Sequence, residues 1–99
     1  MSDGAPGERL ARIEARLRAS LQPQLLRLYD DSALHAGHEG AKSGGGHYRI
    51  HLVSARFEGL PKLARHRLVY DSLHDLMQRE IHALAMTLQS PGEAAGSAD

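Results

Sequence analysis

The sequence predicts a small α+β domain: a three-stranded mixed sheet with helices packed on one face. Three observations carry this. An apolar stripe at helical spacing opens the chain. An alternating segment, Tyr48, Ile50 and Leu52 against His47, Arg49 and His51, reads as a half-buried strand. A helical stretch then separates that strand from a final apolar one, so the last two strands run parallel through a right-handed crossover. The order is α-β-β-α(α)-β. Ninety-nine residues suit one domain of this size.

The elements follow in order. Residues 1–7 and 91–99 are small, polar and Gly/Pro-bearing, and are expected to be disordered tails with little to bury. The folded domain is expected over residues 8–90. Leu10, Ile13, Leu17 and Leu21 mark an amphipathic helix over residues 8–21, ended by Gln22-Pro23. Residues 25–29, with Leu26, Leu28 and Tyr29, read as a strand before the turn-like Asp30-Asp31-Ser32. Residues 32–46 form a long connection holding Gly37, Gly40, Gly44, Gly45 and Gly46. Hairpin loops usually have about 2–5 residues, and longer ones are more often functional. Pro61 suits the first turn of a helix. From there Leu63, Val69, Tyr70, Leu73, Leu76 and Met77 keep an apolar stripe to Arg79, as one long helix or two consecutive ones. Residues 81–88 close the fold as a strand with Leu84, Met86 and Leu88 on one face.

Composition narrows the function. Twelve Lys and Arg balance twelve Asp and Glu. Sequence-independent binding to nucleic acid needs a positive excess, which this chain lacks. With no cysteine, the chain builds no disulfide, thiol nucleophile or Cys-ligated metal site by itself. No apolar run approaches the roughly 18–20 residues of a membrane span, and no basic-then-apolar leader is visible, so a cytoplasmic protein is expected. No phosphate-binding Gly-rich loop or nucleophile elbow is present, and no catalytic activity or small-molecule substrate is expected. Gly37-His38-Glu39-Gly40 matches Gly-x-x-Gly but lies between two strands, where the pattern carries little.

Seven histidines invite a metal. His47 and His51 share a strand face but stand roughly 13 Å apart at about 3.3 Å per residue, too far for one ion. His66 and His74 lie about two helical turns apart. These spacings leave His51, His66 and His74 as surface or core histidines. His35 and His38 sit in the long connection, which His47 closes. His82 opens the last strand, parallel to the strand that His47 opens, so the two can approach and form an open two-histidine site. A second candidate surface is basic: Arg56, Lys62, Arg65 and Arg67 face only Glu58 in their segment. With His66 they can position phosphates, or form a solvated helix face.

Arg56-Phe57-Glu58-Gly59, Arg65-His66-Arg67-Leu68-Val69-Tyr70 and Ile81-His82-Ala83-Leu84-Ala85 together resemble the BolA family. Asp31-Ser32 and His35-Ala36-Gly37-His38…Gly46-His47-Tyr48 resemble it too. The resemblance spans about residues 8–90 and implies an αββαβ fold similar to a class II KH domain. It also implies a non-enzymatic partner of a monothiol glutaredoxin. The pair would share a bridging [2Fe–2S] cluster in iron–sulfur trafficking, assembly or iron sensing. The glutaredoxin would bring a cysteine and bound glutathione. This chain would bring His82 and one histidine of the connection: His47, His38 or His35, with His47 favoured because a strand fixes it. Mixed His/Cys ligation has a parallel in Rieske centres. Some members of the family are described as DNA-binding stress or morphology regulators. For this chain that alternative implies Lys62, Arg65, His66 and Arg67 as the contact surface.

Overall fold

A computed structural model of the chain describes residues 6–31 and 46–96. Helix α1 (Pro6–Leu21) is followed by strands β1 (Leu25–Asp30) and β2 (Gly46–Val53). A single 3-10 turn (Ala55–Phe57) leads to helices α2 (Lys62–Ser72) and α3 (His74–Arg79). Strand β3 (Ile81–Gln89) and a short helix α4 (Pro91–Gly96) end the described chain. The sheet order is β1-β2-β3, with β1 antiparallel and β3 parallel to the central β2. This is the expected mixed sheet with its crossover through helix.

Alternation decides the faces. Leu26, Leu28, Tyr48, Ile50, Leu52, Leu84, Met86 and Leu88 fall in register on the helix side of the sheet. They meet Ile13, Leu17 and Leu21 of α1, Val69 of α2, and Leu73 and Leu76 beyond it. The opposite face carries Arg27, Tyr29, Arg49, His51, Ala85 and Thr87, and nothing covers it among the described residues. Ser54 is fully buried and acts as a polar hub: its Oγ donates to Leu21 O (2.6 Å) and accepts from Arg56 N–H (3.1 Å). That single hydroxyl ties the end of α1 to the start of the 3-10 turn.

The structure settles or corrects several expectations. The stretch after Pro61 is two helices. Ser72 Oγ donates back to Leu68 O (2.9 Å), a local bond that bends helices, and Leu73 leaves helical geometry at φ −109°, ψ 15°. Leu63 and Tyr70 do not join the apolar stripe; they are exposed on the outer side of α2. The segment after β3 is helical over Pro91–Gly96 rather than a tail. Ser90 and Glu93 form a reciprocal capping box: Ser90 N–H donates to Glu93 Oε1 (2.9 Å) and Glu93 N–H to Ser90 Oγ (3.4 Å). At the other terminus α1 begins at Pro6, two residues early. No helix among the described residues is long and apolar enough to cross a membrane.

Candidate functional site

The candidate residues gather at two ends of the sheet. At the first, β2 and β3 begin side by side. Gly46 pairs with Ile81, but His47 pairs with Ala83, so His82 is an extra residue in β3. This is a β-bulge, which re-aims a side chain. Ile81 and Leu84 both point inward, leaving His82 and Ala83 exposed between them. The bulge thus puts His82 on the uncovered face, where strict alternation carries His47. The two imidazole rings stand 5.1 Å apart, centroid to centroid, tilted by 44°. His47 is half-buried and His82 exposed.

The backbone around the pair is held closely. Gly46 N–H donates to Glu80 O (3.0 Å), and Asp31 N–H donates to His47 O (2.8 Å). A Cβ on Gly46 would collide with the Tyr48 ring, so only glycine lets that ring fold over the strand start. Two residues along, Arg49 stacks on Tyr29 with its guanidinium carbon 4.1 Å from the ring centre, and its Nε donates to Asp31 Oδ2 (3.0 Å). An arginine–carboxylate pair therefore stands two residues along the strand from His47, on the same face.

Two imidazoles on one tetrahedral ion, at metal–nitrogen distances of about 2.0–2.1 Å, hold their centroids about 5 Å apart. The observed spacing fits that. The described residues contain no group of three or more His, Cys, Asp or Glu able to hold a metal ion. Two imidazoles would leave at least two positions of a tetrahedral ion to other ligands. His35 and His38 lie outside the described residues. His51 is a satisfied histidine, its Nε2 sharing a hydrogen bond with Gln89 Oε1 (2.8 Å). His74 is exposed at the start of α3.

The second end is the basic segment. Lys62 and Arg67 are exposed and His66 is half-buried. Lys62 and His66 line a groove of about 490 Å³ against Met86, Thr87, Leu88 and Gln89 of β3. Arg65 is different: it is 6% exposed. Its Nε donates to Leu60 O (2.8 Å), and its Nη1 to Leu88 O (3.1 Å) and Glu93 Oε1 (2.5 Å). Arg65 and the Ser90 backbone N–H hold the Glu93 carboxyl well below its usual range, at about 2. The Arg65 guanidinium is committed to the fold, which leaves Lys62, His66 and Arg67 for an anion. Leu88 is six residues from His82, about 20 Å along a strand, so the two candidate surfaces are separate.

The α+β layering defines a small domain with a three-stranded mixed sheet, helices on one face and a histidine pair at one end of the sheet. The family pattern of BolA-like proteins matches residues 17–93. The chain is 38% identical over 89 residues to BolA-like protein 1 of Mus musculus, covering 90% of this chain and 63% of that protein. It is 41% identical over 75 residues to the DNA-binding transcriptional regulator BolA of Escherichia coli, covering 76% and 69%. The BolA domain of SufE1 from Arabidopsis thaliana superposes with a TM-score of 0.79 at 38% identity, covering 90% of this chain and 99% of that domain. The solution structure of mouse BolA1 gives 0.78 at 34% identity, covering all of this chain and 78% of that one. The chain belongs to the BolA-like family, as its sequence motifs imply. It spans a little under two thirds of the length of the mouse protein.

Proposed function

We propose that this chain is a non-enzymatic cytoplasmic partner of a monothiol glutaredoxin. It contributes imidazole ligands to a bridging [2Fe–2S] cluster during trafficking, assembly or iron sensing. The observation that carries this is the His47–His82 pair, with ring centroids 5.1 Å apart, on a face that no helix covers among the described residues. A chain without cysteine needs its sulfur ligands from elsewhere, and a partner with a thiol and glutathione supplies them. The bound cluster brings redox-active iron whose potential follows its ligands and their exposure. His82 is the outer ligand, presented by the bulge. His47 is the inner one, held by its strand, with His35 and His38 as the alternatives from the connection.

The test is anaerobic co-purification with a monothiol glutaredoxin from the same source, followed by visible circular dichroism. A heterodimer is expected, with a cluster spectrum distinct from that of the glutaredoxin homodimer. His82→Ala is expected to erase the difference. Absence of a complex, or a spectrum unchanged by that substitution, rejects the reading.

A second reading, a DNA-binding regulator, is favoured by the name of the Escherichia coli relative and by the exposed Lys62 and Arg67 beside the β3 groove. It predicts a salt-dependent mobility shift of a duplex, lost when Lys62 and Arg67 are both changed to Gln.

A further inference from the structure

Among the described residues, three arginine–carboxylate clamps tie a helix to a distant element. Arg16 of α1 grips Asp75 of α3 in a bidentate pair (2.5 and 2.7 Å). Arg65 grips Glu93. The third joins Arg9 and Arg12 of α1 to Glu80, with Arg12 closer than Arg9 Nε at 3.7 Å. Its neighbourhood sets it apart. Glu80 N–H donates to Leu76 O (2.9 Å) and closes α3, while Glu80 O accepts from Gly46 N–H (3.0 Å), the residue before His47. Glu80 is also two residues before His82. One residue is thus pinned to α1 by its side chain, to α3 by its N–H and to β2 by its carbonyl, just where the bulge begins. All three ionic side chains are shielded, at 15% exposure for Arg9, 34% for Arg12 and 23% for Glu80.

Register gives the clamp its consequence. Side chains alternate across a strand, so a one-residue slip at the start of β3 turns a side chain to the other face. The position of the bulge decides whether His82 stands beside His47 or turns toward the helices.

We propose that Glu80, gripped by Arg9 and Arg12, is a positioning residue that holds the β3 bulge where His82 stays beside His47. The inference rests on reading that pair as the ligand site. Partners bonded directly to a ligand typically change metal affinity about 10–100-fold when removed, and a residue that acts through the ligand's backbone is expected at the low end of that range.

The experiment compares Glu80→Gln, Asp75→Asn and His82→Ala in the full chain. Asp75→Asn breaks a comparable clamp between α1 and α3 and leaves β3 alone. Three quantities are measured: the thermal midpoint, the nuclear Overhauser effect between the His47 and His82 ring protons, and Ni²⁺ affinity by calorimetry. Glu80→Gln is expected to lose most of the inter-ring effect and to weaken Ni²⁺ binding about tenfold. Asp75→Asn is expected to keep both while losing a comparable amount of thermal stability. Equal behaviour of Glu80→Gln and Asp75→Asn overturns the proposal. Should Glu80→Gln not fold, the double variant Arg9→Gln, Arg12→Gln removes the same clamp from α1 and must give the same loss of the inter-ring effect. Ni²⁺ binding unchanged in His82→Ala counts against the ligand reading of the pair. The inter-ring effect then decides the role of Glu80 by itself.

Discussion

The two ends of β3 use polar side chains in opposite ways. At its C-terminal end, Arg65 turns inward and bonds to two carbonyls and the Glu93 carboxylate, pinning α2, β3 and α4 together. At its N-terminal end, the bulge turns His82 outward beside His47 on an uncovered face. A basic run and a histidine-bearing run look equally available in a sequence. Burial separates them, since a guanidinium at 6% exposure holds the fold, whereas an exposed imidazole remains accessible to a ligand.

The comparison can be broken by mutation. Arg65→Ala carries the largest expected effect, about 3 kcal/mol in urea denaturation, because it leaves the Leu60 and Leu88 carbonyls without their donor and empties the space of a buried side chain. A loss under about 0.5 kcal/mol, as at a surface site, contradicts the structural role. Gly46→Ala comes next, at about 2 kcal/mol, because its new methyl meets the Tyr48 ring. Near-wild-type stability there shows that the strand start is loose and that the histidine end lacks the assigned rigidity.

Acid sharpens the contrast. Hydrogen bonds from Arg65 and Arg16 lower the carboxyl pKa values of Glu93 and Asp75 to about 2 in the folded chain, from 4.5 and 3.8. Folded values below unfolded ones mean that this stabilisation is complete above about pH 4.5 and drains away as the pH falls toward 2. The wild-type and Glu93→Gln denaturation midpoints should therefore differ at pH 7 and converge by pH 2. Parallel curves across that range remove Glu93 as the source. The smallest expected stability effect is that of His82→Ala, under about 0.5 kcal/mol, as for an exposed side chain. A loss comparable to that of Arg65→Ala makes His82 structural and erases the difference between the ends.

Much of this was legible in the sequence, and the exceptions have physical causes. Tyr48, Ile50 and Leu52 gave β2 and its buried face, and the helical crossover gave the parallel partner that brings His82 toward His47. The bulge was hidden because one extra residue breaks the period of two, although the inward pair Ile81 and Leu84, three apart, is its trace. The charge of Arg65 suits a phosphate contact or a solvated face, with a structural role as the alternative; the structural role holds, because Arg65 stands four residues before Val69 and eight before Leu73 on the buried side of α2. Helix α4 was missed because Pro91–Gly96 has little to bury, and its fastening comes from Arg65, 28 residues away in sequence. The Ser90-x-x-Glu93 box was its local signal. The ligand partnership itself came from the resemblance to the BolA family and from no spacing in the chain.

The proposed role requires imidazole nitrogen from this chain to bind a cluster shared with a thiol-bearing partner. Pulsed electron paramagnetic resonance of the reduced heterodimer tests it most directly, with ¹⁵N placed in this chain alone. Nitrogen couplings are expected to change from ¹⁴N to ¹⁵N on labelling and to lose the His82 component in His82→Ala. Couplings indifferent to the label would contradict it.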